Sequence, residues 1–171
     1  MDNWIFKYHE AIKKKEVIVG VWVRLSFEIL TTGLLNGEWE FNEKKANKAI
    51  KFIENFCHHS EGRSDLLHLE LWQKAIVSAI FGIMDKTTGY RQFREVFIIV
   101  ARKNGKTLFA AAIAAYMTYV DGEYGAKVYF LAPKLDQADL VYDAFYQIVQ
   151  SDDELDSITK KRRSDIYIKA F

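Results

Sequence analysis

Apolar residues recur at helical spacing in the first third of the chain. Trp4, Ile5, Tyr8 and Ile12 share one face, and Ala46, Ala49, Ile50, Ile53, Phe56 and Cys57 share another, after Asn42 as a plausible N-cap. The stretch EVIVGVWVRLSFEILTTGL carries two signals. Its β-branched start favours a strand, while Val19, Trp22, Val23, Ser26, Phe27 and Leu30 fit one helical face, and the spacing predicts a helix. Beyond the polar stretch HHSEGRSD, Leu69, Trp72, Ile76, Ala79, Ile80 and Ile83 again line one face, with Gly82 as the expected terminator. The pattern then alternates: FREVFIIV as strand, TLFAAAIAAYMTYV as helix, AKVYFLA as strand, DQADLVYDAFYQIVQ as helix and DIYIKAF as strand. Such alternation predicts βαβ units around a parallel sheet. The helix after Thr107 is apolar nearly all round, so it is expected to be covered on both sides.

Length and composition add bounds. The 171 residues suffice for a real core, and a net charge of +1 with half the residues hydrophobic does not announce a nucleic-acid binder. The single cysteine, Cys57, excludes an internal disulfide framework and suits a reducing cytoplasm. The opening MDNWIFKYHE lacks the order of basic region, apolar core and cleavage site expected of a secretion signal. The run Val17 to Val23 is far shorter than the ~20 residues that span a bilayer, so no membrane role is expected.

The chemistry concentrates between the first predicted strand and the helix that follows, in VARKNGKT. A loop in that context aims backbone N–H groups and the positive end of a helix dipole at one point, where a triphosphate fits. Gly105 lets the backbone approach a phosphate, Lys106 supplies a cation to the β- and γ-phosphates, and Thr107 offers a hydroxyl to Mg²⁺. Ala101, Arg102, Lys103 and Asn104 complete the candidate nucleotide loop. Val100 stands where the usual pattern has its first glycine, a position that mainly ends the strand. Arg102 is the candidate to act on the γ-phosphate as an arginine finger does, with solvent exposure of Arg102 and Lys103 as the bland alternative.

Four separated stretches, EWEFNEKKANKAIKFIENFCHHSEG, LELWQKAIVSAIFG, TGYRQFREVFIIVARKNGKT and LAPKLDQADLVYDAF, resemble in that order the N-terminal ATPase region of the large terminase subunit of tailed bacteriophages. The resemblance implies an α/β fold, a P-loop NTPase core with a parallel sheet flanked by helices, preceded by an N-terminal helical region. The division expected is 1–62 helical and 63–171 core, the core being incomplete. It further implies a DNA-packaging ATPase using ATP and Mg²⁺, with double-stranded DNA, the portal protein and the small terminase subunit as partners and a homo-oligomeric ring on the portal left open. Its place would be the cytoplasm of the bacterial host, transiently at the procapsid portal.

Within the resemblance, Trp72-Gln73 matches the adenine-recognition motif. The Gln73 amide offers a donor and an acceptor to an adenine edge, against the alternative of an exposed helix glutamine, and Trp72 reads better as core than as a stacking surface. Lys134 and Gln137 fall in the segment that couples nucleotide to DNA in related motors, or else simply open a helix near Asp136. No apolar strand ends in Asp-Glu. Asp153-Glu154 follows a helix end, the wrong context for a Walker B strand, so catalytic turnover by these residues alone is not expected, and the nuclease carboxylates of the family are absent. A non-catalytic docking fragment and a helicase-like P-loop ATPase are the rival readings. Cys57, His58, His59 and His68 make a poor zinc set, and the basic runs Lys13–Lys15 and Lys160–Arg163 read first as solvated.

Overall fold

The computed structural model describes residues 3–59, 64–123, 125–162 and 165–169. The boundary expected between residues 62 and 63, the polar residues 60–63, Arg163 of the second basic run and the last two residues of DIYIKAF lie outside the described residues. Seven helices and two short sheets are described, in two compact units: Met1–Lys51 with Leu69–Ile98, and Phe52–His68 with Ile99–Phe171.

In the first unit, α1 (Trp4–Lys13) starts where the Asn3 side chain accepts a hydrogen bond from the Ile5 backbone N–H at 2.9 Å. It stops at Lys14, beyond which Lys15 turns left-handed at φ 60°. Ile5, Tyr8 and Ile12 bury the predicted face, and Tyr8 meets Phe27 of α2 (Val21–Leu35) edge-on, ring centroids 4.7 Å apart. Strand β1 (Glu40–Phe41) leads into α3 (Glu43–Phe56), which belongs to this unit as far as Lys51 and begins as read, with Asn42 Oδ1 accepting from the Lys45 N–H at 3.0 Å. Helix α4 (Leu71–Gly82) packs on α1 and ends in β2 (Ile83–Met84), which pairs antiparallel with β1.

The helix expected from EVIVGVWVRLSFEILTTGL forms only from Val21, with Gly20 as its N-cap. Val17 and Val19 pack against the core while Ile18 between them is 98% exposed, the period-two alternation that the β-branched start favoured. The buried face also differs from the expected one. Phe27 and Thr31 are buried, with Leu30 and Leu34 packed beside them, whereas Trp22, Val23 and Ser26 are exposed. Both sides of α2 are apolar, so periodicity alone could not choose which side the core would take.

Helix α4 ends at Gly82, as read, but the glycine acts there by its size and not through a left-handed backbone. A Cβ there would lie 2.6 Å from the Phe41 ring and 2.9 Å from the Ala46 Cβ, so α3, β1 and the end of α4 meet closely only because the position has no side chain. The approach is held by the Asn42 N–H, which donates to the Gly82 carbonyl at 2.7 Å.

In the second unit, α5 (Lys106–Tyr119) packs against α6 (Leu135–Gln150). Phe109, Ala111, Ala112, Ala114, Ala115 and Tyr116 are buried, so α5 is covered on several sides, as its composition predicts. Tyr119 stacks on Phe145 at 6.3 Å, and its hydroxyl lies 2.6 Å from Thr159 Oγ1 in β3 (Thr159–Lys161), which pairs antiparallel with β4 (Ile166–Ile168). Between α6 and β3, α7 (Asp153–Ile158) is capped by the Asp152 side chain on the Leu155 N–H at 3.0 Å. Cys57 is buried in this unit, where desolvation, with Asp152 nearby, pushes its thiol up to about 12.

The parallel sheet expected from the alternation is not among the described residues, whose sheets are these two antiparallel pairs. The segments 95–100 and 126–132 run without ladder partners, and Phe97, Ile99 and Leu131 are at least 90% exposed. The apolar runs are as read, but a strand exists only where a neighbour takes its N–H and C=O groups.

Gly82→Ala is expected to destabilise the chain by about 1–3 kcal/mol, because the new methyl must displace the Phe41 ring or the Ala46 backbone. Urea denaturation followed by circular dichroism measures it, and an unchanged midpoint would show that the close approach has slack.

Candidate functional site

The loop before α5 has an alternating backbone. Lys103 is left-handed at φ 65°, Gly105 is left-handed at φ 65°, and Arg102 and Asn104 on either side of Lys103 are not. Alternation of this kind turns successive N–H groups toward one concave side, the geometry of an anion-binding nest. Glycine adopts φ 65° freely, whereas lysine does so at a cost of about 1–2 kcal/mol. The Asn104 side chain helps hold the turn, its Nδ2 donating to the carbonyls of Ala101 at 3.3 Å and Arg102 at 3.2 Å.

Helix α5 opens at Lys106 with Gly105 as N-cap and no side-chain cap. The first bond into the helix is from the Phe109 N–H to the Gly105 carbonyl at 2.9 Å. Among the described residues no backbone N–H from Ala101 to Leu108 donates to a backbone carbonyl, so the donors of the helix start and of the loop remain unmet together. Arg102, Lys103 and Lys106 are exposed and make no ion pair among the described residues. Thr107 is half-buried, and its hydroxyl makes no hydrogen bond there, unlike that of Thr118 later in the helix, which donates to the Ala114 carbonyl. The loop residues singled out from the sequence, Ala101 to Thr107, therefore stand together around one set of free donors with cations beside them.

Gln73 lies in the other unit and is neither an exposed helix glutamine nor a free amide. It is 8% exposed at the third position of α4, where it completes a capping box with Glu70: the Glu70 N–H donates to Gln73 Oε1 at 2.8 Å, and the Glu70 carboxylate accepts from the Gln73 N–H. Because a backbone N–H can only donate, the atom it meets is the amide oxygen. Nε2 and the second lone pair of that oxygen are left over. Glu70 was missed by sequence reasoning, although E-x-x-Q ahead of an apolar run is a variant of the capping pattern and could have been read as one. Trp72 packs half-buried against the first unit's core, as the core reading had it.

Lys134 is the N-cap of α6, without a side-chain cap bond, and Gln137 is exposed in its first turn beside Asp136. Asp153 and Glu154 are exposed in the first turn of α7, where their charge complements the helix dipole. No group of three or more metal-ligating side chains occurs among the described residues. Lys161 lies over the Tyr146 ring at 3.7 Å and Arg162 pairs with Asp165 at 3.8 Å, so this part of the second basic run is engaged within its own unit. No helix among the described residues is long and apolar enough to cross a membrane.

A family described as "Terminase large subunit, ATPase domain" matches residues 71–170, more than half of the chain. Among solved structures, the large terminase of bacteriophage HK97 aligns over 73% of this chain with a TM-score of 0.62 at 24% identity, a likeness of fold. The aligned part is 25% of that protein's chain, so the present sequence spans about a quarter of it. No curated protein matches the sequence.

Gln73→Ala is expected to lower stability by about 1 kcal/mol through loss of the cap, while Gln73→Glu, the residue most common at that position of a capping box, retains it. Thermal unfolding of the two variants checks this, and equal losses in both would mean that burial, not capping, holds the side chain.

Proposed function

We propose that this chain, which belongs to the terminase large subunit ATPase-domain family, binds ATP at the loop Ala101–Thr107 as the nucleotide-binding part of a DNA-packaging motor. The observation that carries the reading is the alternating left-handed backbone at Lys103 and Gly105, directly ahead of a helix start with unmet N–H groups. Three phosphate oxygens satisfy such donors as no neutral ligand does, and the free ammonium of Lys106 adds the opposite charge. This is the Walker A role of a P-loop, with Val100 in place of its first glycine.

The residues also fit a magnesium ion in part. The Thr107 hydroxyl is one oxygen ligand at the right end of the helix, and phosphate oxygens and water make up the remainder that Mg²⁺ ordinarily keeps. When bound, the ion neutralises charge developing on the phosphates. Lys106 holds the phosphates, Gly105 admits them to the backbone, and Arg102 is assigned the developing charge on the γ-phosphate. Gln73 is assigned the base, through Nε2 as donor and the second lone pair that its amide oxygen keeps beside the Glu70 N–H as acceptor. A donor to N7 with an acceptor from N6 fits adenine, whereas guanine offers two acceptors on that edge.

The same reading makes 95–100 and 126–132 strands of a parallel sheet. It assigns translocation of double-stranded DNA into a capsid to the whole motor, with the portal and the small subunit as partners and the host cytoplasm as its place. Lys134 and Gln137, at the start of α6, are assigned to the coupling segment.

Lys106→Ala is expected to abolish binding of a non-hydrolysable ATP analogue in calorimetry with the circular dichroism unchanged, since the exposed ammonium contributes nothing to packing. Equal affinity in the variant removes the loop assignment. Hydrolysis by the 171-residue chain is expected to stay well below ~1 s⁻¹, because Asp153 and Glu154 belong to a helix start rather than to a strand beside the phosphates. Phosphate release at or above that rate would show a catalytic carboxylate within the chain.

A further inference from the structure

Helix α3 divides its two sides by charge. Ala46, Ala49 and Ile50 are at most 4% exposed, while Lys44, Lys48 and Lys51 stand on the opposite side at spacings of four and three, with Lys45 beside them, all four exposed. The arrangement works against the helix. Lys48 has Lys44, Lys45 and Lys51 as like-charged neighbours one turn away, and Lys44 and Lys45 lie in the first turn, where the helix dipole favours acids. The Glu43 carboxylate, the one acid of that turn, accepts from Asn47 Nδ2 at 3.5 Å, and Lys44, Lys45 and Lys51 form no ion pair among the described residues. The first unit, Met1–Lys51 with Leu69–Ile98, carries thirteen Lys and Arg against ten Asp and Glu. Four lysines and one acid of that set lie between Glu43 and Lys51, so the unit's whole excess of positive charge sits on this helix.

We propose that this face of α3 binds the phosphate backbone of double-stranded DNA without regard to sequence. The choice of partner follows from what the face carries and what it lacks. From Lys44 to Lys51 the helix rises about 10 Å, so the four cations follow one another at about 3.5 Å on average, close to the ~3.4 Å of duplex axis per phosphate of one strand. An ammonium on a flexible stem meets phosphate as a point charge, and no guanidinium stands among the four to fork onto a base edge. Lysine is depleted in protein–protein interfaces, whose centres need apolar or aromatic anchors that this face does not have. A bilayer is equally poorly matched, because an interfacial helix inserts its apolar side and that side of α3 is already filled by the core. The proposal rests on the motor reading above only in taking DNA rather than RNA as the duplex, and nucleotide at the loop plays no part in it.

The test is fluorescence anisotropy of a labelled duplex of about 25 base pairs, titrated with the 171-residue chain in the absence of nucleotide. Binding is expected at about 50 mM salt, with the logarithm of the association constant falling against that of salt at a slope of about −3.5, one phosphate for each lysine. Lys44→Ala, Lys45→Ala and Lys51→Ala together should flatten the slope by roughly three and weaken binding at least about tenfold, with the circular dichroism unchanged. The same three positions changed to Arg should retain binding. Lys14→Ala, Lys127→Ala and Lys160→Ala together remove the same charge from exposed positions elsewhere and should leave slope and affinity nearly unchanged. Equal weakening by the two alanine triples overturns the proposal, since net charge and not the face would then attract DNA. So does failure to bind the duplex at this salt, a preference for single-stranded DNA of the same length, or binding to phosphatidylserine vesicles and not to the duplex. The two readings fail separately: a chain that binds duplex through α3 but no ATP analogue loses the loop assignment alone, and one that binds the analogue but no duplex loses only this proposal.

Discussion

A helix that must be buried along its body but cannot satisfy its own first N–H groups is the constraint around which the second unit is arranged. Alanines and aromatics of α5 fix the helix against its surroundings, with Tyr119 stacked on Phe145 and tied to Thr159 beyond it. The helix start has glycine as its N-cap and so no side chain there to cap it. The preceding loop then enters through two left-handed residues, which spend no donor of their own on the helix. The outcome is a concentration of donors at one edge of a rigid element, where positions are held more closely than on a free loop.

A second constraint shapes Gln73. Its amide is shared between holding the start of α4 and whatever it presents outward, one lone pair of its oxygen being taken by the Glu70 N–H. A side chain used this way is preorganised, since its rotamer is set before any ligand arrives. The same economy makes it vulnerable, because a change that alters the cap also alters what is displayed.

Much of this was legible in the sequence, for identifiable reasons. The stretches that became α1, α3, α5 and α6 each carry a stripe or a surplus of apolar residues matching the helical period, and Asn42 announced the start of α3. Gly-Lys-Thr between an apolar run and a helix located the candidate loop. What escaped depended on partners distant in sequence. α2 offered two apolar faces, and only the rings and methyls of other helices chose between them. Phe97 and Leu131 have strand-like neighbours in sequence, but pairing belongs to two segments and not to one. Gly82 stops α4 where the sequence put the stop, but its need to be glycine was hidden, because the ring and the methyl that crowd it come from positions 41 and 46. Lys103 gave no warning of a left-handed backbone, which lysine adopts only when its surroundings require it.

The side chain that steadies the loop also gives it a chemical age. Asn104 is followed by Gly105, the pairing in which a backbone nitrogen meets least steric hindrance in attacking the side-chain amide and releasing ammonia. In the folded loop that amide is held by the Ala101 and Arg102 carbonyls, while in the unfolded chain nothing restrains it. Each excursion to the unfolded state therefore exposes the loop to formation of a cyclic imide, whose hydrolysis by water turns a neutral donor into a carboxylate two residues before Lys106. Stability of the fold is in this sense also what preserves the loop's covalent identity.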